Sequence, residues 1–158
     1  MKDFVFGLKL AERLGSYSKR KGNDRMVITR KIFQERFLKS FAPNLTNRER
    51  KKFSIDWKGQ GYLWHLFSNE LVPCLVGEKA REAYDKANKI DAMEIQYDYG
   101  LGDEFMQPIN SSYATAQQVD WYGYTEFYIV GKDFSWCYVI THELDLSGPY
   151  FCYNLNLE

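Results

Sequence analysis

Two histidines are the residues best able to carry acid–base or metal chemistry in this 158-residue chain. Imidazole titrates near neutral pH and binds metals, so His65 and His142 could each act as an acid, a base or a ligand. A metal site needs a third ligand, and no HxH, HxxxH or HExxH spacing places two ligands on one element. We therefore expect no metal and no cofactor. The carboxylates that could assist a histidine are Glu70, Glu126, Glu143 and Asp145.

Three cysteines, Cys74, Cys137 and Cys152, could supply a nucleophile. Their odd number and the lack of a CxxC spacing argue against a disulfide framework, so we expect reduced, mostly buried thiols. Cys137 and His142 lie on one predicted strand at an odd separation, so their side chains should leave opposite faces of the sheet. That geometry argues against a thiolate–imidazole pair. The pairs Cys152–His142 and Cys74–His65 stay open, because the spacing selects neither.

Aromatic residues make up 17% of the chain. Tyrosine and tryptophan combine an apolar body with a polar tip and are common interface anchors. We therefore predict a non-catalytic module that binds another protein. The alternative is a small hydrolase or metal-assisted enzyme that uses His65 or His142 with Glu126, Glu143 or Asp145. The predicted contact residues are Trp57, Trp64, His65, Trp121, Tyr122, Tyr124, His142 and Glu143.

Charge is divided unevenly along the chain. Residues 1–60 hold 16 Lys and Arg against 6 Asp and Glu, whereas residues 61–158 hold 5 against 15. Either the basic part packs over the acidic part, or each part presents a separate field to a partner. Nucleic-acid binding by the basic half is a third hypothesis. The cations at 19–25 lack the interleaved aromatics that single strands favour, so we expect a protein partner instead.

The length and the 45% apolar content fit a single domain over residues 1–158. Near the start, the longest apolar run covers residues 4–8, too short to span a membrane, and Glu12 and Arg13 interrupt any signal-peptide pattern. We therefore expect a cytoplasmic protein without membrane association. Residues 15–24 are polar, cationic and contain glycine, which is typical of an exposed loop.

The segment 124–143 predicts a β-hairpin, because two runs of β-formers flank the turn residues 131–133. With the turn centred on Lys132-Asp133, Ile129 lies opposite Trp136 and Phe127 lies opposite Tyr138. Neither face is polar, so we expect the hairpin at the centre of a sheet. One predicted face carries Phe127, Ile129, Trp136, Tyr138, Ile140 and His142; the other carries Tyr124, Glu126, Tyr128, Val130, Cys137, Val139, Thr141 and Glu143.

Helices are predicted mainly before the hairpin and further strands around it. The helical patterns cover residues 3–14, 29–41, 46–53 and 78–88, with a capping box at Thr46 and Glu49. The apolar run at 62–68 is nearly continuous, so periodicity cannot separate a buried helix from a buried strand, and we favour a short helix. Strands are predicted at 91–100 and 150–153, and residues 101–123 are predicted to be a long connection with room for one helical turn. The predicted class is α+β, a small antiparallel sheet built on the 124–143 hairpin and covered by three or four helices.

Several short motifs occur between residues 61 and 151: Gly61-Tyr62-Leu63-Trp64-His65-Leu66-Phe67, Pro73-Cys74-Leu75, Phe127-Tyr128-Ile129-Val130, Lys132-Asp133-Phe134-Ser135-Trp136, Thr141-His142-Glu143 and Gly148-Pro149-Tyr150-Phe151. Together they resemble an uncharacterised family of small bacterial cytoplasmic domains over about residues 28–153. The resemblance implies a compact domain and assigns no catalytic residue. In style, a small domain with an aromatic-rich sheet is also similar to toxin-neutralising immunity proteins, an analogy at the level of fold.

Overall fold

A computed structural model describes residues 26–53, 62–97, 103–121, 126–143, 146–154 and 156. Within them, seven strands form one antiparallel sheet: β1 (Met26–Thr29), β2 (Leu75–Val76), β3 (Met93–Tyr97), β4 (Asp103–Pro108), β5 (Phe127–Val130), β6 (Trp136–Ile140) and β7 (Tyr150–Tyr153). Their order across the sheet is β1-β4-β3-β5-β6-β7-β2. The described helices are α1 (Arg30–Phe41), α2 (Asn47–Phe53), α3 (His65–Ser68), α4 (Glu78–Lys86) and α5 (Ala116–Asp120), with 3-10 turns at Ser111–Tyr113 and Lys132–Phe134. The predicted α+β class is confirmed.

The predicted hairpin lies at the centre of the sheet as β5 and β6. Its register differs from the prediction, because Phe127 lies opposite Ile140 and Ile129 lies opposite Tyr138. The predicted pairs Ile129–Trp136 and Phe127–Tyr138 were therefore wrong by two residues. Because side chains alternate with a period of two, this shift keeps each strand residue on its predicted face.

Burial of Phe134 explains the shifted turn. Its ring is 2% exposed, packs 6.0 Å from the Phe33 ring and lies under the Arg36 guanidinium at 4.8 Å. Burying a phenylalanine stabilises the fold by about 1.5–3 kcal/mol. That gain offsets the positive φ angles of Asp133 and Phe134, at 54° and 59°. The turn therefore forms where Phe134 can reach α1, a contact that turn residues alone do not reveal.

Helices cover both faces of the sheet. The face covered by α1, α2 and α3 is called the α1 face, and the face covered by α4 and α5 is called the α4 face. Coverage on both sides explains why neither side of the hairpin is polar. The α1 face buries Phe33, Phe37, Phe41, Phe53, Leu63, Leu66 and Phe67 against Ile95, Met106, Tyr128, Val130, Cys137 and Val139. The α4 face buries Ala80, Tyr84, Ala116 and Val119 against Phe127, Ile129, Trp136, Tyr138 and Phe151.

Hydrogen bonds and ring stacking join the elements of the α4 face. The Arg81 Nε of α4 lies 2.6 Å from an Asp120 carboxylate oxygen, and the Tyr138 hydroxyl donates to the other oxygen at 2.8 Å. The Tyr84 ring stacks on the Tyr138 ring with centroids 4.4 Å apart. Asp120 therefore links α4, α5 and the centre of the sheet.

Local signals located the described helices well. Helices α1 and α2 occupy their predicted positions, and the capping box is confirmed. The Glu49 carboxylate accepts the Thr46 N–H at 2.8 Å, while Thr46 Oγ1 accepts the Glu49 N–H at 3.3 Å. Helix α3 lies within the predicted 62–68 segment, and α4 ends at Lys86 rather than at residue 88.

The strands that depend on remote pairing were missed. The prediction contained neither β1 nor β2, and the connection predicted at 101–123 contains β4 as well as the helical turn α5. Strand β4 pairs with β1 on one side and β3 on the other. Other predictions lie outside the described residues: the helix at 3–14, the basic loop at 15–24, the carboxylate Asp145 and the contact residues Trp57, Tyr122 and Tyr124.

Candidate functional site

The segment around α3 divides its side chains between core and surface. Leu63 and Leu66 are fully buried, whereas Tyr62 and His65 are partly exposed. Residues three apart share one side of a helical turn, and the rings of Tyr62 and His65 lie 5.9 Å apart. The apolar run that periodicity could not assign therefore presents an edge with polar groups at the surface.

Trp64 is the buried base of this surface, with 4% exposure. Its backbone N–H donates to Tyr128 Oη at 3.2 Å, and the Tyr128 hydroxyl donates to the Glu126 carboxylate. Tyr128 is fully buried and Glu126 is 4% exposed at the start of β5. These buried hydrogen bonds tie the start of α3 to the central strands and fix the position of Trp64.

His142 follows the other strand of the hairpin. Strand β6 ends at Ile140, and His142 and Glu143 lie in a turn where strand alternation no longer sets side-chain direction. Thr141 organises that turn, because its Oγ1 donates to the Ser147 carbonyl at 2.7 Å and accepts the Glu143 N–H at 3.1 Å. The turn thereby holds His142 and Glu143 beside the end of the central hairpin.

Tyr62, Trp64, His65 and His142 form what we call the histidine cluster. The His65 ring stacks on Trp64 with centroids 4.0 Å apart, and His142 packs edge-on against Trp64 at 5.8 Å. The Tyr62 ring also lies 5.4 Å from His142. Trp64 belongs to the α1 face, so the prediction that His142 continues the Trp136 face was wrong.

The neighbouring charges act on His65. Burial lowers the pKa of His65 below its ordinary 6.5; the Glu143 carboxylate opposes this shift and His142 adds to it. His142 Nε2 lies 4.0 Å from Glu143 Oε1, and the two side chains are 40% and 48% exposed. An exposed pair of this kind contributes about 0–1 kcal/mol. The arrangement therefore combines a mainly uncharged His65 at neutral pH with an imidazole–carboxylate pair at the surface.

A family model described as a domain of unknown function, DUF4275, matches residues 14–151. The chain belongs to this family. The match confirms the resemblance to an uncharacterised family. It begins before residue 28, so part of the basic stretch that we placed outside the resemblance lies inside the DUF4275 region. No curated protein and no solved structure matches the chain.

Metal binding and thiol catalysis receive no direct support from the described part of this DUF4275 member. No group of three or more His, Cys, Asp or Glu residues there is placed to hold a metal ion. The Cys137 thiol is fully buried, and burial and the neighbouring Cys152 raise its pKa. Among the described ranges, no helix has the length and apolar character that crossing a bilayer requires.

The site unites four of the predicted contact residues: Trp64, His65, His142 and Glu143. Trp121 does not join them, because α5 packs on the α4 face, where the Trp121 side chain is 87% exposed. Sequence reasoning missed the roles of Tyr62 and Tyr128. The three-residue spacing of Tyr62 and His65 could have indicated the role of Tyr62, whereas the role of Tyr128 depends on contacts remote in sequence. Glu126, predicted as a possible partner of a histidine, accepts a hydrogen bond from the Tyr128 hydroxyl.

The coupling in the histidine cluster predicts how His65 titrates. We expect the midpoint of His65 in an NMR pH titration to lie below 6.5. It should rise in His142→Ala, which removes the neighbour that lowers this pKa, and fall in Glu143→Gln, which removes the carboxylate that raises it. Since the folded-state pKa of His65 is lowered, the unfolded chain binds the proton more readily, and the fold loses stability as the pH falls below 6.5. The remote change Glu35→Gln should leave the midpoint unchanged, and an unchanged midpoint in His142→Ala would contradict the coupling.

Proposed function

We propose that this DUF4275 chain is a non-catalytic module that binds another protein through the histidine cluster and Glu143. The main support is the convergence of two segments remote in sequence on buried Trp64. They present two partly exposed imidazoles and a carboxylate at the surface. Aromatic anchors flanked by charge are typical of the residues that dominate binding energy at protein interfaces.

The cluster is held in place before any partner arrives. Trp64 is fixed by its hydrogen bond to Tyr128, and the turn that carries His142 is fixed by Thr141. Side chains that are already ordered lose less conformational freedom on binding, which favours affinity. The surface is therefore suited to recognition without a large rearrangement.

The donors of the cluster favour a partner that brings acceptor groups. The imidazoles of His65 and His142 are partly exposed and offer N–H donors at the surface. Carbonyl or carboxylate oxygens on the partner would match this set.

The proposal includes a bacterial, cytoplasmic setting. Cys74, Cys137 and Cys152 are all free thiols, as is usual in reducing compartments. The resemblance to small bacterial domains supports the same setting. The similarity in style to immunity proteins agrees with a binding role, but fold-level analogy does not identify the partner.

Capture experiments with matched variants test the proposal. The tagged chain, incubated with extract of its native cells, should retain a stoichiometric protein partner. The double variant His65→Ala/His142→Ala should retain roughly tenfold less or lower, as expected for loss of interface anchors. Retention would be quantified by mass spectrometry on folded samples checked by circular dichroism.

Trp121→Ala provides the matched control. It removes an exposed aromatic side chain from the α4 face and should leave capture unchanged if the histidine cluster is the contact surface. Equal capture by the wild type and the double histidine variant would contradict the assignment of the surface. Absence of any stoichiometric partner would contradict the binding function itself.

Acid–base catalysis is a second candidate, favoured by the His142–Glu143 pair and by the nearby His65. A positioned histidine contributes about 10²–10⁴-fold to proton transfer. Hydrolysis of p-nitrophenyl acetate and p-nitrophenyl phosphate should therefore drop by about a hundredfold in His142→Ala if this candidate is correct. Equal rates for the wild type and His142→Ala would reject catalysis of these substrates by His142.

A further inference from the structure

Cys137 on β6 and Cys152 on β7 lie side by side, and Cys74 immediately precedes the neighbouring strand β2. Cys137 on β6 pairs directly with Cys152 on β7. Leu75 of β2 lies opposite Phe151, and continuing that register by one residue sets Cys74 opposite the other side of Cys152. All three belong to the α1 face or pack against it. Cys152 therefore has one thiol neighbour on each side, although the three residues are far apart in the sequence.

Backbone hydrogen bonds distinguish the two neighbours of Cys152. Gly77 N–H donates to the carbonyl of Pro149 directly opposite, so these two residues form a hydrogen-bonded pair. Hydrogen-bonded and non-hydrogen-bonded pairs alternate along an antiparallel ladder, so Cys74 and Cys152, three residues further along, form a non-hydrogen-bonded pair. Asn154 N–H donates to the opposite Ser135 carbonyl, which makes Cys137–Cys152 a hydrogen-bonded pair. Non-hydrogen-bonded pairs approach more closely, with Cα atoms about 4.5 Å apart rather than about 5.5 Å. The closer spacing therefore favours a disulfide from Cys152 to Cys74 over one to Cys137.

Access also favours Cys74. Its side chain is partly exposed, whereas Cys152 is 4% exposed and Cys137 is fully buried. Cys152 Sγ contacts the carbonyl of Pro73, the residue immediately before Cys74, at 3.4 Å. A small oxidant can therefore reach Cys74, while Cys152 lies behind it. The linear row does not converge on one point, in agreement with the lack of a three-residue metal site among the described residues.

We propose that Cys74 and Cys152 form a reversible disulfide when the chain meets a low-molecular-weight disulfide such as oxidised glutathione. The Cys74 thiolate attacks the glutathione disulfide, forms a mixed disulfide and releases one glutathione thiolate. The Cys152 thiolate then attacks the Cys74 sulfur and releases the second. Two protein thiols lose two electrons and two protons, and one glutathione disulfide becomes two glutathione thiols. The bond ties the two-residue edge strand β2 to β7.

The local environment sets the expected pH dependence of the first step. Burial, Cys152 and Glu70 raise the pKa of Cys74 to about 11, so little thiolate is present at neutral pH. The rate of mixed-disulfide formation should therefore increase about tenfold per pH unit below that value. The neighbouring Cys137 thiol lowers the pKa of Cys152, which suits Cys152 to the second attack.

Peptide mapping of the oxidised full chain tests the assignment. Wild type and Cys137→Ala, treated with millimolar oxidised glutathione, should each yield a linked Cys74–Cys152 peptide within one chain. Cys74→Ala and Cys152→Ala should yield no such intramolecular bond. The oxidised wild type should also melt about 10 °C higher than the reduced form, because the bond closes a long loop.

Three results would overturn the proposal. They are a Cys137–Cys152 bond as the main product, only intermolecular dimers through Cys74, and three free thiols after prolonged treatment at pH 9. Thermal unfolding of each reduced variant identifies any that does not fold. If Cys152→Ala fails to fold, the comparison of Cys137→Ala with Cys74→Ala still distinguishes the two pairings.

Discussion

Replacing Phe37 with alanine is expected to lower the free energy of unfolding by about 3–5 kcal/mol. Phe37 is fully buried on α1, with its ring 4.8 Å from Phe41, 5.7 Å from Tyr128 and 6.2 Å from Phe67. Truncation removes contacts within α1 and to β5 and α3, and it leaves a cavity that rigid rings fill poorly. Urea titration monitored by circular dichroism measures the change.

Two other variants on α1 control for this prediction. Lys39→Ala changes an exposed residue of the same helix and should alter the free energy of unfolding by about 0.5 kcal/mol or less. Phe37→Leu keeps most of the apolar volume and should cost clearly less than Phe37→Ala. A loss below about 1 kcal/mol for Phe37→Ala would contradict the central packing role assigned to this ring.

Replacing Tyr128 with phenylalanine is expected to cost about 2–3 kcal/mol, although only one oxygen atom is removed. The Tyr128 hydroxyl accepts the Trp64 N–H and donates to Glu126, so two buried polar groups lose a partner. Buried groups that lose hydrogen bonds have no water to replace them. Chemical denaturation measures the loss, with the m-value showing whether unfolding stays two-state.

Tyr150→Phe is the matched control for Tyr128→Phe. Tyr150 is 4% exposed, and its hydroxyl hydrogen-bonds the neutral Ser147 hydroxyl at 2.5 Å, so the same chemical change should cost only about 0.5–1.5 kcal/mol. Tyr128→Phe should also shift the pKa of His65, because it loosens Trp64 beneath the imidazole. Equal costs for the two tyrosine variants would contradict the special role of the Glu126–Tyr128–Trp64 connection.

The histidine cluster depends on a chain of buried contacts beneath it. A buried tyrosine and carboxylate position a tryptophan, and the tryptophan in turn supports two histidines at the surface.

The charge asymmetry of the chain is only partly explained by the described contacts. Arg36 from the basic half lies 4.0 Å from Asp133 of the acidic half, and Arg50 is committed to the carbonyls of Pro43 and Leu45.

Features controlled by neighbours in sequence could be read directly from the residues. The Thr46–Glu49 capping box, the apolar stripe of α1 and the acidic start of α4 predicted those helices, because capping and helical spacing act within a few residues. The alternation of residues 93–97 and the β-formers around residues 131–133 predicted β3 and the central hairpin. The preserved faces of the hairpin follow from the two-residue period of a strand.

Features that depend on contacts between remote segments needed the folded chain. Burial of Phe134 against Phe33 moved the hairpin register by two residues, and β4 exists because β1 and β3 supply its hydrogen-bond partners. The meeting of His65 with His142, and the alignment of Cys74, Cys152 and Cys137, arise in the same way. Local propensity acts within a few residues, whereas packing and strand pairing join segments that the sequence separates. Local patterns alone therefore do not bring together the two histidines or the three cysteines.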